Sequence, residues 1–248
     1  MNLNTLRSTQ IIILGICIAA ATIASSFIIS HGLYRIMKFR DEQITVTGSA
    51  QKEIKSDFLT WNCSFSVRSQ SMIDAYKKLT EDLPIVKEYL LSKGISENEI
   101  VVSQTITTTL FKKNEKGNDT NDIQGYLLTQ NIEIRSTDVD KVTEISREST
   151  ELLNKNIEYV SYAPQYIYTK LDGLKVEMLA EASENAKLRA QSMLNATGNK
   201  IGVMRSAKMG VFQITPLTST DISDYGINDT TSLHKKVMAV VSASFAIQ

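Results

Sequence analysis

Residues 59–68 read LTWNCSFSVR, and their reading decides the fold. Leu59, Trp61, Cys63, Phe65 and Val67 alternate with Thr60, Asn62, Ser64, Ser66 and Arg68. A period of two puts the apolar side chains on one face, so the stretch is a strand with a core on one side only. Such a strand needs a covering layer, and the next residues supply it. Met72, Tyr76, Leu79, Leu83, Val86 and Leu90 recur every three or four positions, the stripe of an amphipathic helix. Pro84 falls inside that stripe and predicts a kink or a late start. Lys93-Gly94 ends it with a C-terminal glycine.

The same grammar continues outward. Ile100, Val102, Ile106 and Leu110 predict a second strand, and Tyr126, Leu128, Ile132 and Ile134 a third. Thr137-Asp138 can cap a short helix through Val139, Val142, Ile145 and Leu152. Residues 157–169 read as a tyrosine-rich strand with Pro164 inside, hence an edge or bulged strand. A long helix is expected over about 172–197, with Ala182, Ala186, Ala190 and Met193 as a small-residue stripe that lets it lie close to a sheet. Residues 200–214 read as a strand with a glycine break. From Val237 to Ile247 most positions on both faces are apolar, which predicts a central or interface strand. Residues 112–124 read as a mobile hairpin tip, and 215–236 as an unusually long linker. Strand–helix–strand recurs around 57–110 and 126–168 and hints at duplication. The fold class is α+β, an antiparallel-rich sheet packed by helices.

Ahead of this domain, residues 10–30 read QIIILGICIAAATIASSFIIS without a charge. About 20 apolar residues cross a hydrocarbon core of about 30 Å, so the segment predicts a transmembrane anchor. A cleaved signal peptide is the competing reading, because small residues around Thr22–Ser26 offer cleavage-like spacing. Phe27, Ile28 and Ile29 prolong the apolar run beyond those points and favour retention. A lipoprotein reading of residues 14–17 is weakened by the large Ile16 before Cys17. The organisation expected is a tail over 1–9, the anchor over 10–30, a juxtamembrane linker over 31–42 and the domain over 43–248. Flanking charge is ambiguous: Arg7 precedes the segment, and Arg35, Lys38 and Arg40 follow it, which alone leans toward a cytoplasmic domain.

Little in the chain suggests chemistry. The 27 basic and 27 acidic residues cancel, which argues against a nucleic-acid partner. Two His and two Cys argue against a protein-built zinc or iron–sulfur site, and a Cys17–Cys63 disulfide would have to join the anchor to the domain. There is no P-loop, dinucleotide fingerprint, H-E-x-x-H, C-x-x-C or G-x-S-x-G. His234 reads as a solvated loop residue. Cys63, between Trp61 and Phe65 on an apolar face, reads as an unactivated buried thiol. Residues 119–122 (DTND) faintly resemble a calcium loop but lack its glycine and glutamate. Tyr162, Tyr166 and Tyr168 share one face of the expected strand, as a recognition surface or as cross-strand packing. No pair of carboxylates stands out. No residue is assigned a catalytic, cofactor-binding or metal-binding role, no cofactor is implied, and the chain does not read as an enzyme.

The succession of short motifs is more specific. Residues 44–50 (ITVTGSA) open the domain, and Lys93-Gly94-Ile95 through Glu99-Ile100 follows the first helix. Gly125-Tyr126 leads to residues 131–134 (NIEI), and 182–190 (ASENAKLRA) runs into 198–202 (GNKIG). Residues 237–245 (VMAVVSASF) close the chain. In order and spacing this resembles the SIMPL-domain family of bacterial envelope proteins, with its YggE-like and periplasmic immunogenic members. The proline-containing turn common between the first two strands is Lys55-Ser56-Asp57 here, and residues 153–156 (LNKN) replace a usually glycine-rich stretch.

The resemblance implies an α+β fold, an extracytoplasmic location, self-assembly into large ring- or cage-like homo-oligomers, loose links to envelope or oxidative stress, and no established catalysis. The expectation is therefore a single-pass protein of the bacterial inner membrane with a periplasmic SIMPL-like domain and a structural role. The alternative is a binding module holding a lipid, a peptide or a small hydrophobic molecule in an inter-subunit cavity.

Overall fold

The structure, a computed structural model, describes residues 3–248, with side chains described for 13–34 and 42–248. Residues 1 and 2 of the expected tail, and the side chains of Arg7, Arg35, Lys38 and Arg40 used in the charge count, lie outside the described residues. Helix α1 spans Leu3–Asp41, so helix takes the place of the expected linker as well as the anchor. Beyond it the order is β1 (Gln43–Lys55), β2 (Phe58–Ser69), α2 (Met72–Ser92), β3 (Ile100–Lys113), β4 (Asp119–Ser136), α3 (Val139–Glu148), β5 (Glu158–Ser161), β6 (Gln165–Ile167), α4 (Leu171–Asn195), β7 (Ile201–Met209), β8 (Gln213–Pro216), β9 (Ile227–Asn228) and β10 (His234–Ile247). The α+β class holds. The chain divides into two compact units.

The larger unit comprises Ala50–Met178 and Val211–Ala239. Within it β2–α2–β3 and β4–α3–β5 are two strand–helix–strand halves. Their strands order as β3-β4-β2-β5, with β6 also on β2. Each neighbouring pair is antiparallel, so β2 runs parallel to β3 and β4 to β5. That is the split βαβ, ferredoxin-like arrangement, and it accounts for the recurrence legible in the sequence. Leu59, Trp61, Cys63 and Phe65 of β2 and Leu128, Ile132 and Ile134 of β4 form a core with α2 and α3.

Several local expectations are corrected. Helix α2 continues through Pro84, and Ser71 caps it by accepting from the Asp74 N–H. Its buried face is Ala75, Leu79, Asp82, Val86, Tyr89 and Leu90, while Met72 and Tyr76 are exposed. Gly94, at φ 87°, carries the chain out of the helix, with Ile95 N–H reaching back to the Leu90 carbonyl. Asp138 stands at the start of α3 without a side-chain capping bond. Residues 162–164 split the expected tyrosine strand into β5 and β6, since Pro164 lacks an N–H for the ladder. The hairpin tip shrinks to residues 114–118, between β3 and β4.

The 215–236 stretch is not one linker. Asn228 pairs with Ile214 and Ile227 with Gln213, so β9 lies parallel to β8. Residues 234–236 belong to β10. Along β10, Lys235–Met238 pairs antiparallel with β8, and backbone bonds Ser56→Leu233 and Ile247→Glu42 bracket its antiparallel alignment with β1. The closing strand is thus central, and its apolar faces serve the chain's own sheet.

The smaller unit comprises Met1–Ser49, Leu179–Gly210 and Val240–Gln248. Here β10 pairs with β7 from Val241↔Met209 to Ile247↔Ile201. The alanine stripe of α4 lies on β1 as its spacing predicts: Ala182, Ala186 and Ala190 are fully buried, whereas Met193, expected on the same stripe, is exposed. Gly48 permits the approach. A Cβ there would stand 2.1 Å from the Ala182 carbonyl oxygen and 2.4 Å from the Ala186 nitrogen.

Candidate functional site

Two features stand out: an apolar helix with nothing packed on it, and a buried lysine beside a cavity. Ile13–Tyr34 of α1 is 22 residues long, with mean hydropathy 2.2 and none of it buried. At 1.5 Å per residue it is about 33 Å long, enough to cross a hydrocarbon core. This span overlaps the expected 10–30 segment from its first described side chain, Ile13, onward. It suits a membrane anchor or a secretory signal.

The lysine is Lys235, only 2% exposed although it opens a strand next to His234. Its Nζ donates to the Tyr166 carbonyl at 2.7 Å and to the Asp229 carbonyl. The same strands fix both acceptors: Tyr166 N–H donates to the Thr230 carbonyl, and Asp229 N–H to the Ile214 carbonyl. Burial pulls the Lys235 ammonium below the usual lysine range, and the Asp229 carboxylate opposes this only in part. That carboxylate lies beyond ion-pair distance. Burial pushes its own pKa up, but bonds from the 231–232 turn and the Lys235 charge outweigh this and leave it lowered. Asp229 Oδ1 accepts from the Thr231 N–H and hydroxyl. Oδ2 is buried outside hydrogen-bonding geometry. Beside Lys235 is a cavity of about 230 Å³, lined among others by Ile54, Tyr166, Leu171, Ile214 and Asn228.

Sequence reasoning missed Lys235 by placing it in a loop. A signal was present: Lys235, Val237, Ala239 and Val241 share strand parity, so the period of two carried back from Val237 puts Lys235 on the buried face. The residues that were weighed are scattered. His234 is exposed at the start of β10. Asp119 and Asp122 lie in β4, three apart, so they project from opposite faces of an extended strand. Tyr166 is buried in β6, with its hydroxyl 3.1 Å from Thr143 Oγ1, whereas Tyr162 and Tyr168 fall just outside the strands, Tyr168 lining the same cavity as Tyr166. Cys63 is 1% exposed, and burial pushes its thiol up to about 11. The described residues bring no three His, Cys, Asp or Glu side chains together as a metal cluster.

The SIMPL family model, described as a protein of unknown function (DUF541), matches residues 44–245. The chain belongs to the SIMPL family. No curated protein matches it. The SIMPL match begins inside β1 and ends inside β10, so it takes in both units and leaves the apolar helix α1 outside. Lys235 and its cavity lie within the SIMPL domain.

Proposed function

We propose that this SIMPL protein is a single-pass component of the bacterial envelope, anchored by its N-terminal helix in the inner membrane. Its SIMPL domain stands on the periplasmic side, associates with further copies into a closed homo-oligomer, and serves a structural or envelope-stress role without catalysis. The observation that supports association is strand β7. Among the described residues it pairs with β10 along one edge only, and residues 203–209 are exposed on both faces, Val203 at 63% and Met209 at 57%. An unpaired apolar edge is a template for another chain, and closed assemblies remove such edges. Central strand β10 does not support this reading, because its apolar faces are used within the chain.

The test is the mass of the detergent-solubilised full-length protein and of residues 43–248, measured by light scattering. A large discrete mass for both is expected. A monomer in both rejects the assembly, and a large mass only with residues 1–42 present moves the organising contact to the helix.

A further inference from the structure

We infer that the cavity beside Lys235 is a binding site for a short aliphatic carboxylate, held by its charged end on the Lys235 ammonium and by its chain against Ile54, Leu171 and Ile214. An ammonium has three N–H donors, and Lys235 commits two of them, both to neutral carbonyls. A buried cation whose nearby counter-charge, Asp229, makes no direct ion pair with it is costly, and joining two carbonyls to a strand requires no charge. No carboxylate of the described residues comes within ion-pair distance of Nζ, since Asp229 turns Oδ1 to Thr231. A ligand anion would supply the missing partner, through a charge-assisted bond strengthened by the low local dielectric.

The cavity sets the ligand's size and character. Ile54, Leu171 and Ile214 supply apolar wall, while Asn228 and Lys235 are polar lining. That mixture, mostly apolar with few polar groups, is typical of small-molecule sites. At about 30 Å³ per water-sized group, 230 Å³ holds roughly eight heavy atoms. A six-carbon unbranched carboxylate has that size, and a membrane lipid does not fit.

Full-length protein in lipid nanodiscs, dialysed against radiolabelled hexanoate, tests the inference. The expected result is saturable binding of one hexanoate per chain, weakened at least about tenfold by Lys235→Met. Leu171→Trp narrows the cavity while keeping the lysine and should weaken binding comparably; it carries the test alone if Lys235→Met does not fold. Hexanol, of equal length but uncharged, should not compete. Binding no greater than to empty nanodiscs, or binding that survives Leu171→Trp, overturns the inference. The site lies within one chain, so the result is independent of whether the protein assembles.

Discussion

Cys63 illustrates how one buried group sets a pH dependence. Its thiol is pushed from 9.0 to about 11 by burial. Between those values the unfolded chain has released the proton and the folded chain keeps it. The unfolded state then binds fewer protons, so stability falls as pH rises through that window. A shift of about two units corresponds to at most about 3 kcal/mol. Buried Tyr159, whose hydroxyl is also pushed up, acts in the same direction from its ordinary value of 10.0 upward. Urea midpoints at pH 8.5 and 10 should therefore differ less in Cys63→Ala than in the parent; equal differences would sink the idea. Gly48 is a second residue-scale case. The backbone atoms of Ala182 and Ala186 leave no space for a methyl group. Gly48→Ala should cost about 1–3 kcal/mol by overpacking, visible as a thermal midpoint lower by roughly 2–12 °C.

Helix α2 shows what decides an element's orientation. Asp82, 2% exposed on the helix's buried face, is held by Lys78 at 2.6 Å one turn earlier. The bond to Asp82 raises the Lys78 pKa, with burial opposing. Lys78→Met should leave a buried carboxylate short of its partner and cost about 1–3 kcal/mol. Adding Asp82→Asn should recover part of that loss in a double-mutant cycle, because the amide carries no charge to compensate. A variant pair that is strictly additive would show the contact to be idle. The same helix marks where sequence reading stopped. Its apolar period is visible, and Leu79, Val86 and Leu90 of the predicted stripe are buried, but in the first turn the stripe runs through Met72 and Tyr76 instead of Ala75, and it omits Asp82. Alanine is too small to mark a face, and an acid is read as solvent-facing until its partner is known. β2, β4 and the alanine stripe of α4 were legible because a single period runs through each of them. β9 has two residues and no period, and buried Lys235 contradicts the polarity rule, so the candidate site stayed hidden.

At the scale of the whole molecule, β1, α4 and β10 each contribute residues to both compact units, and α1 stands outside the SIMPL match. The proposed association between copies would use surfaces that the chain's own pairing leaves open, and β7 is such a surface. Val203 and Met209 lie on either side of the irregularity at Arg205 in the β7–β10 pairing, so two substitutions place charge at both ends of that edge. Both side chains are more than half exposed, so Val203→Glu with Met209→Glu should leave the unfolding midpoint within about 0.5 kcal/mol of the parent per site. The expected outcome is a shift of residues 43–248 from the large mass to the monomer, with unchanged circular dichroism. A large mass that persists would move the contact away from β7 while leaving assembly itself intact. A monomeric parent would instead remove the assembly, and β7 would then be an edge kept from pairing by the cationic Arg205 and Lys208 along it.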